Sequence, residues 1–393
     1  MILLHEQNVH HDPSRLSTAW AESETFALLP EKLSVSEEWL EQSLNLVPRE
    51  LHRDHFIMLT SGTTGQPKLI VGNRARSEKL VHVLHDRQDS ELVQETISML
   101  PLSYTYSFVN QWLWSHVMQR RFITTHGLAD PKSLKASLQA ACDAMICLVG
   151  VQVPLLMTHL AGERFEGVIR VHFAGGRFPQ EKMDDLRAMF PNAQVFNNYG
   201  CAEAMPRLTI RSAEEASEAA NIGHPLCGIE MRSDDHHAIL FRSPYGAVGV
   251  VEAMKFTAIT PNDWIPSGDL GEMNDDGSWR LLGRASEVFK RHGEKVSLAA
   301  LTTTVSAAWS GQCAFYREAD RTGEDGCVLV LAPEATNDAI KPVLMALRKH
   351  HPRAQWPLRI ENVPTLPLLP NGKTDVRALP SLANKSTLWQ QHI

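Results

Sequence analysis

One short segment of the chain, Thr60-Ser-Gly-Thr-Thr-Gly-Gln-Pro-Lys68, consists almost entirely of small, hydroxyl-bearing and turn-forming residues. Apolar runs flank it, His55-Phe-Ile-Met-Leu59 before it and Leu69-Ile-Val71 after it, and such runs are typical of buried strands. Small residues let successive backbone N–H groups and hydroxyls turn toward one anion, and Lys68 adds a positive charge. The segment lacks the Gly-Lys-Ser/Thr ending of a kinase or GTPase P-loop. It therefore predicts a strand–loop–strand unit that binds phosphate, with an ordinary hairpin turn as the alternative.

Three later segments carry carboxylates and a lysine. Asn198-Tyr-Gly-Cys-Ala-Glu203 follows a predicted strand at 193–196, so its glycine is expected at a strand end, where α/β sheets bind ligands. Glu203 is a candidate ligand for Mg²⁺, which is commonly held by one or two carboxylates together with phosphates. Tyr199 offers a flat face to a purine; the alternatives are a surface acid for Glu203 and a half-buried core aromatic for Tyr199. The other two segments are Ser267-Gly-Asp269 followed by Gly283-Arg284, and Pro370-Asn-Gly-Lys373.

Together these segments resemble the signatures of the adenylate-forming (AMP-binding) superfamily, which includes acyl- and aryl-CoA synthetases, adenylation domains of peptide synthetases, and luciferases. The first segment matches T-S-G-T-T-G-x-P-K at every fixed position, and Asn198 to Glu203 matches Y-G-x-T-E except at Ala202, where threonine is usual. Further matches are Ser267-Gly-Asp269 to S/T-G-D, Gly283 to Gly293 to G-R-x-x-x-x-x-K-x-x-G, and Pro370 to Lys373 to P-x-G-K. The resemblance extends from Thr60 to Lys373, which is most of the chain.

The resemblance implies a two-step reaction that uses ATP, Mg²⁺, and coenzyme A or phosphopantetheine as co-substrate. A carboxylate attacks the α-phosphate to give an acyl-adenylate, and a thiol then displaces AMP. Lys373 and Glu203 are the expected catalytic residues, with Glu203 also the metal ligand, and Asp269 and Arg284 are expected to hold the ribose. The full set of expected ATP- and AMP-binding residues is Thr60, Ser61, Gly62, Thr63, Thr64, Gly65, Lys68, Gly175, Gly176, Asn198, Tyr199, Gly200, Asp269 and Arg284.

The expected function is that of an acid–thiol ligase, an acyl- or aryl-CoA synthetase acting on a small carboxylic acid. Two alternatives stay open: an acyl- or aryl-AMP ligase that loads an acyl carrier protein, and a non-catalytic nucleotide-binding relative. Coenzyme A and carrier proteins present the same pantetheine arm, so the sequence leaves the acceptor undecided. Ala202 favours the non-catalytic alternative, whereas retention of Lys373, Glu203 and Asp269 opposes it.

The segment after Arg284 carries the second half of the implied mechanism. Ser286 occupies the place where family members swivel a small C-terminal domain, which withdraws Lys373 and brings the loop Lys290 to Gly293 over the site. Lys290 and Gly293 are therefore expected to border the channel for the thiol. A plain loop serine is the alternative for Ser286.

The acyl pocket is the least specific part of the prediction. Tyr104 stands where relatives often carry the last residue of P-L-F-H, and Arg177 and Phe178 replace the usual Ala-Pro after Gly175-Gly176. Together with Phe108 these residues are the candidates. Core packing is the alternative for Phe108, and an aromatic at the start of an amphipathic helix is the alternative for Tyr104. The segment after Tyr104 lacks the aspartate that pairs with an amino-acid ammonium group. We therefore expect an uncharged acid with an aryl or medium acyl group.

Apolar and helical patterns alternate along much of the chain, which predicts an α/β fold of βα layers around a largely parallel sheet. Residues 221–282 show short strands and turns instead, which predict a smaller β-rich subdomain. We expect an N-terminal AMP-binding domain over 1–284 and a small mobile α+β C-terminal domain over 287–393. The expected strands are 98–100, 144–149, 168–173, 238–242, 249–252 and 327–331, the expected helices are 131–141, 179–190 and 338–350, and a turn is expected at 274–277.

Length and composition add expectations about partners and setting. The phosphate-binding segment begins only at Thr60, so the N-terminal layer usual in the family is expected to be shortened, with a homodimer as one way to cover the exposed face. The net charge of −7 gives no reason to expect nucleic acid. No run of about twenty apolar residues indicates a membrane span, and the first residues turn polar too soon for a secretory signal. Six cysteines without metal or disulfide spacing indicate the cytoplasm.

Overall fold

A computed structural model describes residues 1–33, 35–61, 67–176, 178–214, 220–368 and 374–391. The backbone divides into two compact units. The main unit comprises Met1–Ser267 and Gly271–Leu281, and the second unit comprises Gly268–Leu270 and Leu282–Ile393. The predicted hinge at Ser286 lies close to this boundary and stays a prediction, as do the predicted domain limits.

Strands and helices alternate in the main unit. Its first part contains β1 (Ile2–His5), α1 (Glu6–His11), α2 (Ser14–Ala21), β2 (Phe26–Leu29), α3 (Glu37–Asn45), β3 (His55–Ser61), β4 (Pro67–Asn73), α4 (Arg74–Arg87), β5 (Glu95–Ile97), α5 (Thr105–Ser107), a π-helical stretch (Phe108–Leu113), α6 (Trp114–Val117) and β6 (Arg121–Ile123). There follow α7 (Pro131–Gln139), β7 (Ala144–Val149), α8 (Val153–His159), β8 (Val168–Ala174), α9 (Met183–Met189), β9 (Gln194–Tyr199), β10 (Thr209–Ser212), β11 (Asn221–Pro225), β12 (Glu230–Ser233), β13 (Ala238–Arg242), β14 (Gly249–Glu252), β15 (Lys255–Ala258), β16 (Ile265–Met273) and β17 (Trp279–Arg284).

One sheet of the main unit has the strand order β1-β2-β3-β4-β14-β15. Strands β1 to β3 pair in parallel, and β4, β14 and β15 continue the sheet with antiparallel pairs. The predicted strand–loop–strand unit is confirmed as β3 and β4, with Met58 opposite Ile70 and Thr60 opposite Lys68. Both strands are buried along most of their length, so they hold the two ends of the intervening loop firmly.

The larger sheet has the strand order β12-β13-β16-β17-β11-β10-β9-β8-β7-β5-β6. Strands β6, β5, β7, β8 and β9 are parallel, and parallel strands buried on both faces read as continuous apolar runs. The strands predicted at 144–149 and 168–173 are confirmed as β7 and β8. The short strands expected within 221–282 also form, including β13 and β14 at their predicted limits, and they extend the two large sheets.

The strand predicted at 98–100 is wrong, because the strand is β5 at Glu95–Ile97. The chain turns away at Ser98, whose hydroxyl donates a hydrogen bond to the Leu100 carbonyl at 3.1 Å. Met99 and Leu100 are buried nevertheless. Their apolar character therefore reflects a buried loop, which a short apolar run does not distinguish from a strand.

The two helices predicted in the main unit form with shorter limits. The first is α7, where Asp130 accepts a hydrogen bond from the Ser133 N–H at 3.1 Å and Pro131 occupies the first turn, as is typical of a helix start. The second is a 3₁₀ turn, Gln180–Lys182, that continues into α9. Within the described part of the chain, no helix is long and apolar enough to cross a membrane.

The second unit contains β18 (Val288–Arg291), β19 (Glu294–Ser297), α10 (Leu298–Ala308), β20 (Gln312–Ala319), β21 (Asp325–Ala332), α11 (Lys341–His350), β22 (Arg359–Asn362) and β23 (Ser386–Gln390). One sheet has the order β20-β21-β22-β23, and α10 and α11 share an apolar core with it. The strand and helix predicted at 327–331 and 338–350 are confirmed as β21 and α11. An α/β chain with a large N-terminal unit and a small α+β C-terminal unit is thus what the structure shows.

Candidate active site

The predicted phosphate loop falls partly outside the described residues. Thr60 is the second-to-last residue of β3, and its hydroxyl lies 3.5 Å from the Lys68 carbonyl on β4. Gly62, Thr63, Thr64 and Gly65 lie outside the described residues, as does the side chain of Ser61. The structure therefore positions the two ends of this loop, and the phosphate contacts of its centre stay a prediction.

Lys68 and Glu203 form a salt bridge, although 135 positions separate them in the chain. Their side chains are 12% and 15% exposed, so the pair is largely removed from water. Burial is the largest single influence on Lys68 and by itself lowers its pKa. The charge and hydrogen bond of Glu203, with smaller contributions from Glu252 and Cys201, outweigh burial and raise the net pKa of Lys68 above 10.5. Lys68 therefore carries its charge at neutral pH.

Glu203 lies at the tip of the connection between β9 and β10. A 3₁₀ turn over Ala202–Ala204 and a left-handed Met205 (φ 56°) fold the chain back toward β10. The Ala247 N–H donates a hydrogen bond to the Glu203 carbonyl at 2.9 Å, just before β14 begins. Because β14 pairs with β4, this bond brings the Glu203 carboxylate beside Lys68.

The side chains near the Lys68–Glu203 pair determine which metal ion could bind there. Among the described residues, no group of three or more His, Cys, Asp or Glu side chains is arranged to hold a metal ion. Glu203 supplies one carboxylate, and one carboxylate suits Mg²⁺ when phosphates and waters complete its coordination. The residues therefore fit a magnesium ion that arrives with a nucleotide, and Glu203 is the residue that would hold it.

The strand end predicted at Gly200 is confirmed, since β9 ends at Tyr199 and the turn begins there. A Cβ at Gly200 would lie 1.9 Å from the Pro206 carbonyl oxygen, so the tight return of the chain requires glycine. Tyr199 is 8% exposed, and its hydroxyl lies 3.1 Å from the Ser267 hydroxyl. The structure thus places its side chain in the core, and its contact with a purine stays a prediction.

The predicted ribose residues are brought together in the second unit. Arg284 Nε lies 3.1 Å from Asp269 Oδ1, and the aspartate side chain is only 7% exposed while the arginine is 42% exposed. Gly268 (φ 82°) and Gly283 (φ 134°) precede the two residues with backbone conformations that favour glycine. The guanidinium therefore orients a carboxylate whose hydrogen-bonding role toward a ribose stays a prediction.

Gly175 and Gly176 follow the carboxyl end of β8, next to the end of β9. Both are exposed, and Gly175 has φ 75°. Apart from its chain neighbours, no described residue has an atom within 4 Å of a Cβ built at Gly176. Arg177 lies outside the described residues. Phe178 is 2% exposed, packs against Phe173, and has the Arg211 guanidinium 5.4 Å from its ring centroid. Its ring is therefore part of the core next to this sheet end.

The other two acyl-pocket candidates differ in burial. Tyr104 is half-buried, and burial, with a smaller contribution from Glu6, raises its pKa to about 12. Phe108 is fully buried in an aromatic cluster, with its ring centroid 5.0 Å from that of Phe56 and 5.1 Å from that of Trp112. The structure places Phe108 in the core, so only Tyr104 retains exposed surface.

In the second unit, Ser286 is exposed within a 3₁₀ turn over Ala285–Glu287. Lys290 is exposed on β18. Gly293 (φ 82°) and His292 (φ 49°) form the two-residue turn between β18 and β19, a hairpin turn that requires positive φ at both positions. Lys373 lies outside the described residues. The hinge, channel and catalytic roles of these residues stay predictions.

The structure also shows a buried polar cluster that the sequence analysis missed, apart from one member. Arg207 is fully buried and donates hydrogen bonds to Asn110 Oδ1 and Asn198 Oδ1. Asn198 Nδ2 lies 3.5 Å from His172 Nδ1. An arginine four residues after a predicted site segment is the only sequence signal for this cluster. Its members are Tyr106, Asn110, Cys147, His172, Asn198 and Arg207.

A family model described as AMP-binding enzyme matches residues 5–244, which is more than half of the chain. The chain belongs to the AMP-binding enzyme family. The region matched by the AMP-binding model contains Lys68, Asn198 and Glu203 and ends before Asp269. Lys68, Glu203 and the buried polar cluster thus lie within the region that the family model matches.

Two relatives and one solved structure resemble this family member over most of its length. It is 27% identical to the non-ribosomal peptide synthetase CmlP of Streptomyces venezuelae over 83% of this chain and 34% of that protein. It is 22% identical to a D-alanine–D-alanyl carrier protein ligase of Staphylococcus aureus, over 84% of this chain and 71% of that one. The chain spans 6%, 34% and 14% of the lengths of three peptide synthetases that it matches.

The solved structure is o-succinylbenzoate CoA synthetase from Bacillus subtilis in complex with its acyl-adenylate intermediate. It superposes with a TM-score of 0.77 at 17% identity, covering 98% of this chain and 88% of that one. At this level of identity the likeness shows the fold of an AMP-binding enzyme.

Proposed function

We propose that this protein uses ATP to activate a carboxylic acid as an acyl-adenylate, releases pyrophosphate, and transfers the acyl group to the pantetheine thiol of coenzyme A. The observation that carries the proposal is the Lys68–Glu203 pair, which β4 and the β9–β10 turn bring together at the end of a loop rich in glycine and hydroxyl groups. A lysine and a carboxylate in that position suit a triphosphate and its magnesium ion. Membership of the AMP-binding enzyme family supports the same conclusion.

In the first step, an oxygen of the substrate carboxylate attacks the α-phosphorus of ATP, the bond to the bridging oxygen of the β-phosphate breaks, and pyrophosphate leaves. Magnesium supplies charge neutralisation when bound, and Glu203 is the residue that would hold it. Lys68 would contact the outer phosphates, and Lys373 the reacting carboxylate and α-phosphate. Asp269 would accept hydrogen bonds from the ribose while Arg284 holds its carboxylate in place. No proton transfer is required in this step.

In the second step, the thiol sulfur attacks the acyl carbonyl, AMP leaves with the bonding electrons, and the thiol proton passes to solvent. We propose that the chain from 287 to 393 swivels about Ser286 for this step. Support comes from the exposure of Ser286 in a short turn and from Gly293, where no atom of the described residues beyond its chain neighbours lies within 4 Å of a Cβ position. An open backbone of this kind leaves room for a pantetheine arm beside Lys290.

A carrier protein is the second candidate acceptor, and one observation favours it. A relative that matches 84% of this chain is a D-alanine–D-alanyl carrier protein ligase. An acceptor on a carrier protein would use the same adenylate and the same pantetheine thiol, so only the second step distinguishes the two. A non-catalytic nucleotide-binding protein would keep ATP binding and lose both steps.

The proposal includes an aryl or medium acyl acid, action in the cytoplasm, and a homodimer. The exposed half of Leu3 on β1, which is an outer strand of its sheet, supports the homodimer. An apolar side chain on an open sheet edge is a common site of chain association.

The test is ATP-dependent hydroxamate formation, with magnesium, hydroxylamine and a panel of aryl, fatty and amino acids, read by mass spectrometry. We expect one acid to give a hydroxamate and an equal amount of pyrophosphate. Coenzyme A and a phosphopantetheinylated carrier protein are then supplied separately with that acid, and thioester formation identifies the acceptor. ATP binding without pyrophosphate release from any acid of the panel would contradict the proposed activity.

A further inference from the structure

The buried polar cluster contains a positive charge with no negative partner. Arg207 donates hydrogen bonds to Asn110 Oδ1 and Asn198 Oδ1, and the Gln88 amide oxygen, when it faces the guanidinium, lies 3.0 and 3.2 Å from its two terminal nitrogens. Within the described part of the chain, no Asp or Glu forms an ion pair with Arg207, and its Nε is buried without a hydrogen-bond partner. Neutral amide oxygens therefore accept hydrogen bonds from most of the Arg207 N–H groups but do not neutralise its positive charge.

A second buried arginine has the negative partner that Arg207 lacks. Arg170 is also buried, but its guanidinium reaches the Asp89 carboxylate at 3.1 Å. Burial lowers the pKa of Arg207 to about 10, which leaves it protonated at neutral pH. A buried cation without a counter-charge is unfavourable, and an anion that enters beside it removes that cost.

The cluster lies where a sheet of this class binds ligands. Register aligns Cys147, His172 and Phe196 across β7, β8 and β9. Asn198 is two residues beyond Phe196, so the two side chains project from the same face of the sheet. Asn110 lies on the helical stretch that packs against β5 and β7. The polar side chains therefore gather at the carboxyl ends of parallel strands.

The cluster also belongs to the same strand–turn–strand as Glu203. Asn198 is at the end of β9, Glu203 at the tip of the turn, and Arg207 just before β10. The Leu208 N–H donates to the Tyr199 carbonyl at 2.8 Å, which closes the base of this turn. A substrate whose carboxylate meets the nucleotide near Glu203 would have the rest of its acyl group close to Arg207.

Two neutral groups in the cluster add hydrogen-bond donors. His172 is fully buried, and its Nε2 has no partner among the described residues. Burial, followed by the charges of Arg207 and Arg170, holds the pKa of His172 well below its ordinary value, so its ring is neutral and carries one N–H. The Tyr106 hydroxyl is buried beside Cys147 and Asn198. A guanidinium with neutral donors around it suits a carboxylate, which accepts several hydrogen bonds at once.

We propose that the acid activated by this protein carries a second carboxylate on its acyl chain or ring, and that this group binds Arg207 in the buried polar cluster. The inference rests on the proposed function and specifies its substrate class. It replaces the uncharged acid expected from the sequence, because that expectation considered only the missing aspartate and not a buried arginine. An amino-acid ammonium group would be repelled by the same charge.

The test compares matched acids with the parent protein. Phenylpropanoic acid is paired with its ring-carboxylated analogue, and octanoate with octanedioate, and kcat/KM is measured by pyrophosphate release with hydroxamate as the product check. We expect the dicarboxylate of at least one pair to react about tenfold faster or more in kcat/KM, since a polar group in the site is left unpaired by the other acid. A preference for the monocarboxylate in both pairs would overturn the inference while leaving the proposed function intact.

Variants then locate the preference. Arg207→Gln is expected to abolish the preference for the dicarboxylate, and Asn110→Asp, which supplies an internal carboxylate at the same contact, is expected to reduce it while retaining the fold. Arg74→Gln is the control, because Arg74 is another buried arginine and its guanidinium donates to the Trp20 carbonyl at 2.9 Å. ATP binding by each variant confirms that it is folded. Arg207 would have only a structural role if Arg207→Gln lowered kcat/KM equally for the monocarboxylate and the dicarboxylate, and if Asn110→Asp kept the parent's preference for the dicarboxylate. If neither acid class reacts with the parent protein, the proposed function fails and this inference fails with it.

Discussion

The Lys68–Glu203 pair allows an energetic prediction that needs no substrate. Glu203→Gln keeps the shape of the side chain and removes its charge, which leaves the Lys68 ammonium 12% exposed beside a neutral amide. Exposed ion pairs contribute about 0–1 kcal/mol, whereas breaking a fully buried pair costs about 3–5 kcal/mol. At 12% and 15% exposure the pair lies between these limits, so we expect a coupling free energy of about 2 kcal/mol.

A double-mutant cycle measures this coupling. The parent, Lys68→Met, Glu203→Gln and the double variant are unfolded in urea, with calorimetry to separate the transitions of the two units. The double variant should lose about 2 kcal/mol less than the sum of the single losses in the free energy of unfolding of the main unit. A coupling below about 0.5 kcal/mol would refute the argument, because that is the value of an ordinary surface pair.

The pH dependence of the same cycle gives an independent check. The folded-state pKa of Lys68 is raised above its ordinary value of 10.5, so folding favours the protonated lysine. This contribution to stability is fully present below pH 10.5 and is lost as the pH rises through the higher folded-state value. As the pH rises from neutral, the stability difference between the parent and Lys68→Met should therefore begin to shrink only in that alkaline range. A difference that disappears near neutral pH would contradict the assignment.

Three further outcomes are expected. Gly200→Ala should lower the free energy of unfolding by about 2–4 kcal/mol in a urea titration, because its Cβ would lie 1.9 Å from the Pro206 oxygen. Gly176→Ala is the control and should change the free energy of unfolding little, because no described residue beyond its chain neighbours has an atom within 4 Å of its Cβ. Lys373→Ala should abolish hydroxamate formation and leave ATP binding largely intact in calorimetric titration; equal hydroxamate rates would refute its role. Gly293→Ala should slow thioester formation more than hydroxamate formation, since φ is 82° there, and equal slowing of both steps would count against a role in the channel.

The parts of the fold that the sequence predicted well are those where burial and periodicity agree. Strands β7 and β8 are buried over nearly their whole length, which is typical of the parallel strands that their mainly apolar sequences predict. The glycine at the end of β9 was predicted for a similar local reason, because a predicted strand at 193–196 comes shortly before it. The strand predicted at 98–100 is wrong. The Ser98 hydroxyl donates a hydrogen bond to the Leu100 carbonyl where the chain turns, and Met99 and Leu100 are buried without forming a strand.

In the candidate site, too, local sequence patterns predicted some residues and missed others. Motif residues such as Glu203 and Asp269 were identified because their neighbours form a recognisable local pattern. The partners that give them physical meaning are distant in sequence, and only strand pairing between β4 and β14 brings Lys68 to Glu203. Arg207 was missed because no local pattern surrounds it, and its burial follows from the register of β9 with β10 and from the helix that carries Asn110.

Glu203 and Arg207 lie on the same turn between β9 and β10, but among the described residues only Glu203 has a partner of opposite charge. Glu203 already has a partner in Lys68, so a nucleotide with its magnesium must exchange an existing ion pair for new ones. Arg207 has only amide oxygens, so an anionic acid meets a charge that nothing in the described chain neutralises. Gly200 lies close against the Pro206 carbonyl, so the turn that carries both residues returns tightly. On the proposed function, the nucleotide would have to displace a partner and a dicarboxylic acid would not, so we expect the charge of the acid to be the one that this turn selects.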